Sequence, residues 1–326
     1  MSPIIDTVLL LALPASGKSE IRRYLSLVPP HRRQEEFGVG DTVQLDDFPY
    51  VHLMRSIDDA LEDLGKSRMF FSAGDKPFEN PADWGTLIQL VNEDYADLLE
   101  RRAEESGSAA RRLMGRLDRA AERVGIAPRL AALDDSLRRT LAEQIEGLAE
   151  GLLRDKFDAY PDRLDDKTIV VEFARGGPQG STLPLPEPYG YGHSLSLLSK
   201  EILERASILY VWVTPEESRR KNDARADPDD PGSVLHHGVP LSVMLDDYGC
   251  DDMEWLEAHS DQPGTVSVEA HGQRFHLPLA RFDNREDKTS FVRENRESWP
   301  KEAVDALHSE LHKSFSTLLA RNAPAR

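Results

Sequence analysis

The feature that most constrains this 326-residue chain is an apolar run, Ile4 to Leu13, that ends directly in Pro14-Ala15-Ser16-Gly17-Lys18-Ser19. A strand with apolar residues at successive rather than alternate positions must be buried on both faces, which is the situation inside a parallel sheet covered by helices. The run has no basic leader and passes at once into small residues and a lysine. It therefore reads as a buried strand and not as a secretion signal. Ser19 to Leu27 continues with a helical pattern, so the chain opens as strand, tight turn, helix.

Further strand-like runs follow at Thr42–Leu45, Thr168–Phe173, Ile208–Val213 and Phe275–Phe282. Pro278 within the last of these points to a sheet edge or a strand start. Val304, Leu307, Leu311, Phe315 and Leu318 place a closing amphipathic helix over Trp299–Leu319. These alternations predict a three-layer α/β/α protein with a mostly parallel, five-stranded sheet. Between the second and third strands, Trp84 to Phe157 is helical in pattern. Residues 1–50 and 166–326 are thus expected to form the core and 51–165 a large helical insertion. No internal repeat and no sustained heptad is evident in it. The Pro/Gly-rich stretches 176–192 and 227–238 read as loops near a site.

Composition excludes several classes of function. With 40 basic and 58 acidic residues the net charge is −18, which does not suit a broad grip on DNA or RNA. No apolar run reaches the roughly 18 residues of a membrane span. Cys250 is the only cysteine, so there is no internal disulfide and no cysteine-rich zinc site; a reducing cytoplasm is the expected compartment.

Ala12-Leu13-Pro14-Ala15-Ser16-Gly17-Lys18-Ser19 fits the phosphate-binding pattern of Gly, four residues, Gly-Lys-Ser/Thr, with Ala12 in place of the first glycine. The residue types suit the task. Small side chains let backbone N–H groups turn inward around phosphate oxygens, and the helix N-terminus adds its positive dipole end. Lys18 supplies a cation, and the Ser19 hydroxyl a ligand for Mg²⁺. Pro14 through Glu20 is the expected nucleotide-binding segment. Ala12 requires a negative φ at that position.

Gln44-Leu45-Asp46-Asp47-Phe48 resembles the second-strand motif of nucleoside-type P-loop kinases, the uridine kinase and nicotinamide riboside kinase group. In that group an aspartate before an aromatic is the base for the substrate hydroxyl; here the resemblance leaves Asp47 or Asp46, with Asp47 slightly preferred. Glu172 resembles the acidic residue of a Walker B strand and is the expected metal partner beside Ser19. Arg175, just beyond it, is placed to meet substrate or phosphate. Arg219, Arg220 and Arg225 resemble the lid arginines that close on phosphates, although no more than two of them can point one way from a helix. Asn284 or Asp287 would border the base. His236, His237 and the carboxylates of Asp246–Asp252 suggest substrate recognition or loop packing, since adjacent histidines lack the spacing of a helical metal pair. Tyr189–His193 is a further candidate substrate loop.

The resemblance implies a Mg²⁺-dependent phosphotransferase using ATP (or GTP) on a small hydroxylated acceptor. The alternative is a nucleotide-dependent regulatory module that engages a protein partner through the helical insertion.

Overall fold

The structure is a computed structural model that describes residues 4–102, 106–225 and 238–322. Its elements in chain order are β1 (Thr7–Leu11), α1 (Lys18–Leu27), α2 (Pro30–Phe37), β2 (Asp41–Asp46), α3 (Phe48–Asp63), α4 (Asp83–Glu100), α5 (Ala109–Arg123), α6 (Asp135–Asp158), β3 (Lys167–Phe173), α7 (Gly190–Ser196), α8 (Lys200–Leu203), β4 (Ala206–Trp212), α9 (Pro215–Arg225), α10 (Leu241–Asp246), α11 (Met253–Ala258), β5 (Thr265–Ala270), β6 (Gln273–Asp283) and α12 (Lys301–Asn322). The sheet has six strands in the order β2-β3-β1-β4-β6-β5, parallel except for β5. The expected five strands are all present. The sixth, β5, is an antiparallel edge strand that pairs with β6 from Thr265↔Pro278 to Ala270↔Gln273. Pro278 accordingly lies toward this edge and not between two parallel neighbours.

All five residues of β1 are buried, as a central parallel strand requires. Even-numbered residues of β1 and β3 and odd-numbered residues of β4 face one helical layer. Val8, Leu10, Val170 and Leu209 pack there with Ile21 of α1 and Leu307, Leu311 and Phe315 of α12. Odd-numbered residues of β1, β2 and β3 face the other side, where Leu9, Leu45 and Val171 meet Ile88, Val91 and Tyr95 of α4 and Leu195 of α7. Each such aliphatic side chain contributes roughly 1.5–3 kcal/mol by leaving water. Thr7, the polar member of β1, has its hydroxyl 2.9 Å from the Tyr95 hydroxyl, so burial leaves it satisfied.

The described part of residues 51–165 is built on helices joined by loops, but it is not detached from the sheet. One face of α4 (Ile88, Val91, Tyr95, Leu98) belongs to the sheet layer, while Trp84, Leu87 and Leu90 join a separate core with α3, α5 and α6. That second core extends to Leu13 and Val213, at the ends of β1 and β4.

The insertion also contains an internal repeat that composition did not reveal. Asp58 of α3 accepts hydrogen bonds from the N–H groups of Met69, Phe70 and Phe71, and Asp118 of α5 accepts them from Arg129, Leu130 and Ala131. Each helix ends at a left-handed glycine, Gly65 (φ 70°) and Gly125 (φ 81°). Asp-x-Ala-x-Glu then recurs at Asp58-Ala60-Glu62 and Asp118-Ala120-Glu122. The insertion is two copies of a helix, an aspartate-latched loop and a second helix. Only a handful of polar and small residues carries the likeness. Among the described residues no helix is long and apolar enough to cross a membrane.

Candidate functional site at the strand ends

The strand order reverses direction at β1. From β1 the chain moves outward to β2, returns to β3 beside β1, and then crosses to β4 on the other side. In open α/β sheets the crevice at the carboxyl ends of such strands is where ligands bind. The turn from Ala12 to Ser19 leaves β1 at this point.

Its backbone alternates in handedness. Ala15 (φ 54°) and Gly17 (φ 107°) are left-handed, whereas Ala12 and Ser16 are not among the positive-φ residues. Ala12 therefore meets the condition its replacement of glycine imposes. A left-handed alanine is uncommon and persists only where its surroundings fix it. Here the turn's carbonyls are held from behind: Ser218 Oγ donates to Pro14 O (2.7 Å) and Asn284 Nδ2 to Ser16 O (2.6 Å). Gly17 is the N-cap of α1, and a Cβ there would lie 2.4 Å from Thr289 Oγ1 and 2.8 Å from Asn284 Nδ2. Only glycine suits both that φ and that space. Successive N–H groups in such alternating turns form anion-binding concavities. Lys18 is buried, with Nζ 3.3 Å from Ala12 O, and the Ser16 hydroxyl is buried without a hydrogen-bond partner. Ser19 is half-buried at the start of α1. Glu20 is committed elsewhere, its carboxylate receiving the Arg293 guanidinium at 2.5 Å.

Asp46 and Glu172 are paired in register across β2 and β3 and share the α1 face. Arg22 of α1, one turn after Ser19, reaches both: its NH1 is 2.8 Å from Glu172 Oε2 and 3.7 Å from Asp46 Oδ2. Asp46 Oδ1 accepts the Phe48 N–H at 2.8 Å. Burial first, then the charges of Glu172 and Asp47, push the Asp46 carboxyl up from 3.8 to about 7. The cluster thus combines two carboxylates with one guanidinium.

Asp47, the slightly preferred base, has a different setting. Its Oδ2 accepts from Arg175 NH1 at 2.6 Å, and Arg175 is almost wholly buried. Arg175 also donates to Ser194 Oγ, Ala174 O and Trp84 O and stacks over the Trp84 and Phe173 rings. Its guanidinium is fully engaged within the protein, so the expected substrate contact by Arg175 gives way to an internal ion pair. Nearby, Asp247 is buried with one oxygen unpartnered, and desolvation raises it to about 7.

In α9, Arg220 is exposed and paired with Glu217, whereas Arg219 is half-buried, bonded to Glu216 through NH2 and without a hydrogen-bond partner at NH1. The Arg225 side chain lies outside the described residues, as do His236 and His237. Sequence reading passed over Lys221, which is fully buried and sits 2.7 Å from Asp287 and 3.3 Å from Thr289 Oγ1. Against the effect of burial, Lys221 holds Asp287 at about 2. Of the two residues expected beside a base, Asn284 braces the turn and Asp287 is the partner of a buried lysine. Arg22 was also missed, because an arginine in an amphipathic helix ordinarily signals a solvated face.

Among the described residues no group of three or more His, Cys, Asp or Glu side chains is arranged to hold a metal. No protein-family profile, curated protein or solved structure matches the chain.

Proposed function

We propose that this chain binds a magnesium nucleoside triphosphate in the 12–19 turn and transfers its terminal phosphoryl group to a small hydroxylated acceptor. The observation carrying this reading is the turn itself: left-handed Ala15 and Gly17, with the Pro14 and Ser16 carbonyls tied back by Ser218 and Asn284. Backbone N–H groups are what such a turn has left to offer a ligand, and phosphate oxygens are the acceptors that fit them.

The acceptor's hydroxyl oxygen attacks the γ-phosphorus, the bond from phosphorus to the β,γ-bridging oxygen breaks, and the nucleoside diphosphate leaves. Asp46 takes the hydroxyl proton, since it is the partly exposed carboxylate of the Asp pair while Asp47 is sealed by Arg175. Lys18 and Arg219 neutralise charge on the transferring group. Magnesium arrives with the nucleotide; the Ser19 hydroxyl and the Glu172 carboxylate are the hard oxygen donors on the α1 side that would meet it.

The test is calorimetry with Mg²⁺-ATP and Mg²⁺-GTP on the wild type and on Lys18→Ala. Binding by the wild type that disappears in the variant is the expected outcome. No binding by the wild type at millimolar nucleotide would overturn the reading. A nucleotide-driven switch is the second reading, favoured by the core that joins Leu13 and Val213 to the insertion. It predicts a nucleotide-induced change in hydrogen-exchange protection of α3, α5 and α6, with hydrolysis independent of any acceptor.

A further inference from the structure

We infer a second ligand site, independent of the strand ends, in a cleft of about 340 Å³ between α1, α2 and the start of α12. That volume lies within the range of small-molecule pockets. Its walls are Tyr24, Leu27, Val28, Trp299 and Val304, and its rim carries Arg32, Arg296 and Lys301. Two properties of the lining define what it would take.

The first is a planar apolar shelf. The Tyr24 and Trp299 rings lie 6.4 Å apart with only 31° between their planes, and Leu27 is one of the few large hydrophobic side chains left exposed. The polar ends of both rings are already satisfied: the Tyr24 hydroxyl is 2.9 Å from His308 Nδ1, and Trp299 Nε1 donates to Glu294 O. Tyr24 is buried behind the half-buried Trp299, so the open part of the Trp299 ring is what remains for a ligand, and an aromatic face favours a flat partner.

The second is charge. Among the described residues no carboxylate lines the cleft, and Glu36 close by accepts from Arg32 at 2.7 Å and lies 3.5 Å from His308 Nε2. Asp305 is the other carboxylate close enough to influence the Tyr24 hydroxyl. Arg296 and Lys301 have no side-chain ion pair or hydrogen bond among the described residues, and α12 opens its 22-residue helix at Lys301 with its dipole positive toward the cleft. In a chain of net charge −18, two uncommitted cations beside an aromatic shelf are an exception to the prevailing sign. The ligand class is a small planar anion, with its ring on Trp299 and its carboxylate or similar group between Arg296 and Lys301.

The test uses full-length protein labelled with 5-fluorotryptophan, in which the Trp299 resonance is assigned by its absence in Trp299→Phe. Titration with 2-naphthoate should shift that resonance saturably. In Arg296→Gln/Lys301→Gln, whose substituted side chains are exposed and make no ion pair among the described residues, the affinity should fall roughly ten-fold, the order expected for losing two partly screened ion contacts. Neutral 2-naphthamide should bind the wild type as weakly as 2-naphthoate binds the double variant. No saturable shift of Trp299, or equal binding of amide and carboxylate, would overturn the assignment.

Discussion

Asp46 and Asp47 are consecutive residues, yet they end in opposite electrostatic settings. Asp47 pairs one to one with Arg175, and both are buried. Asp46 shares a single guanidinium, that of Arg22, with Glu172, and is partly exposed. The cause is where β2 stops. Strand alternation carries Asp46, its last residue, toward α1 with Thr42 and Gln44, whereas Asp47 has left the strand, caps α3 with helical backbone angles (φ −83°, ψ −16°) and meets Arg175. One setting is charge-balanced and closed, and suits structure. The other sets two carboxylates against one guanidinium and is partly exposed, which is the setting the proposed base needs.

The largest effect that would break this comparison is on turnover. Asp46→Asn should reduce phosphoryl transfer by roughly 10²–10⁴-fold, the usual worth of a general base, while calorimetry shows nucleotide binding unchanged. Asp47→Asn should leave transfer largely intact and lower stability instead. The reverse pattern would restore Asp47 as the base.

Next is the closed pair. Arg175→Met strands Asp47 in the interior, and removing one member of a buried pair costs about 3–5 kcal/mol. Urea unfolding at neutral pH measures this directly. A loss below about 1 kcal/mol, the level of a surface ion pair, would mean that Asp47 is far more solvated than its position implies.

A third change sharpens the comparison from the other side. Arg22 is the cation that lowers the Asp46 carboxyl against burial and the two neighbouring carboxylates. Arg22→Gln should move the acid limb of the pH–rate profile upward, and should cost only about 1 kcal/mol of stability because the pair is partly exposed. An unmoved acid limb would remove Asp46 from the titrating step.

How much of this was open to reading follows from the same alternation. Continuous apolar runs announced β1, β3 and β4 because burial on both faces admits few polar residues, and those only where a partner satisfies them, as Tyr95 does Thr7. β5 escaped because Thr265-Val266-Ser267-Val268-Glu269-Ala270 is a half-buried edge with polar alternate positions, directly after the turn residues Asp261-Gln262-Pro263-Gly264. The 12–19 turn was legible because its residue types are dictated locally. The different settings of Asp46 and Asp47 were not, since they rest on the register Asp46↔Glu172 and on Arg175, more than a hundred residues away. Arg175, Arg22 and Lys221 were illegible for a related reason. Whether a cation is buried, bridging or solvated depends on which carboxylate the fold brings to it.

The pH dependence of stability is the finest test, and its sign can be worked out. Asp46 has an ordinary carboxyl pKa of 3.8 when unfolded and about 7 when folded. Between those values the folded state holds a proton that the unfolded chain has released, so raising the pH through this window lowers the unfolding free energy. The favourable contribution is complete below about pH 4 and is lost by about pH 7. Asp247, raised to about 7 by burial, produces a slope of the same sign. It is present in both wild type and Asp46→Asn, so the difference between their stability curves isolates Asp46. That difference should decline steadily as pH rises from 4 to 7. Catalysis should move the other way, because only the ionised carboxylate can accept the acceptor's proton. If the two stability curves run parallel while activity still rises toward neutral pH, the base is some group other than Asp46. If stability falls and activity rises over one window, a single carboxyl that is costly to ionise in the fold is also the one the reaction uses.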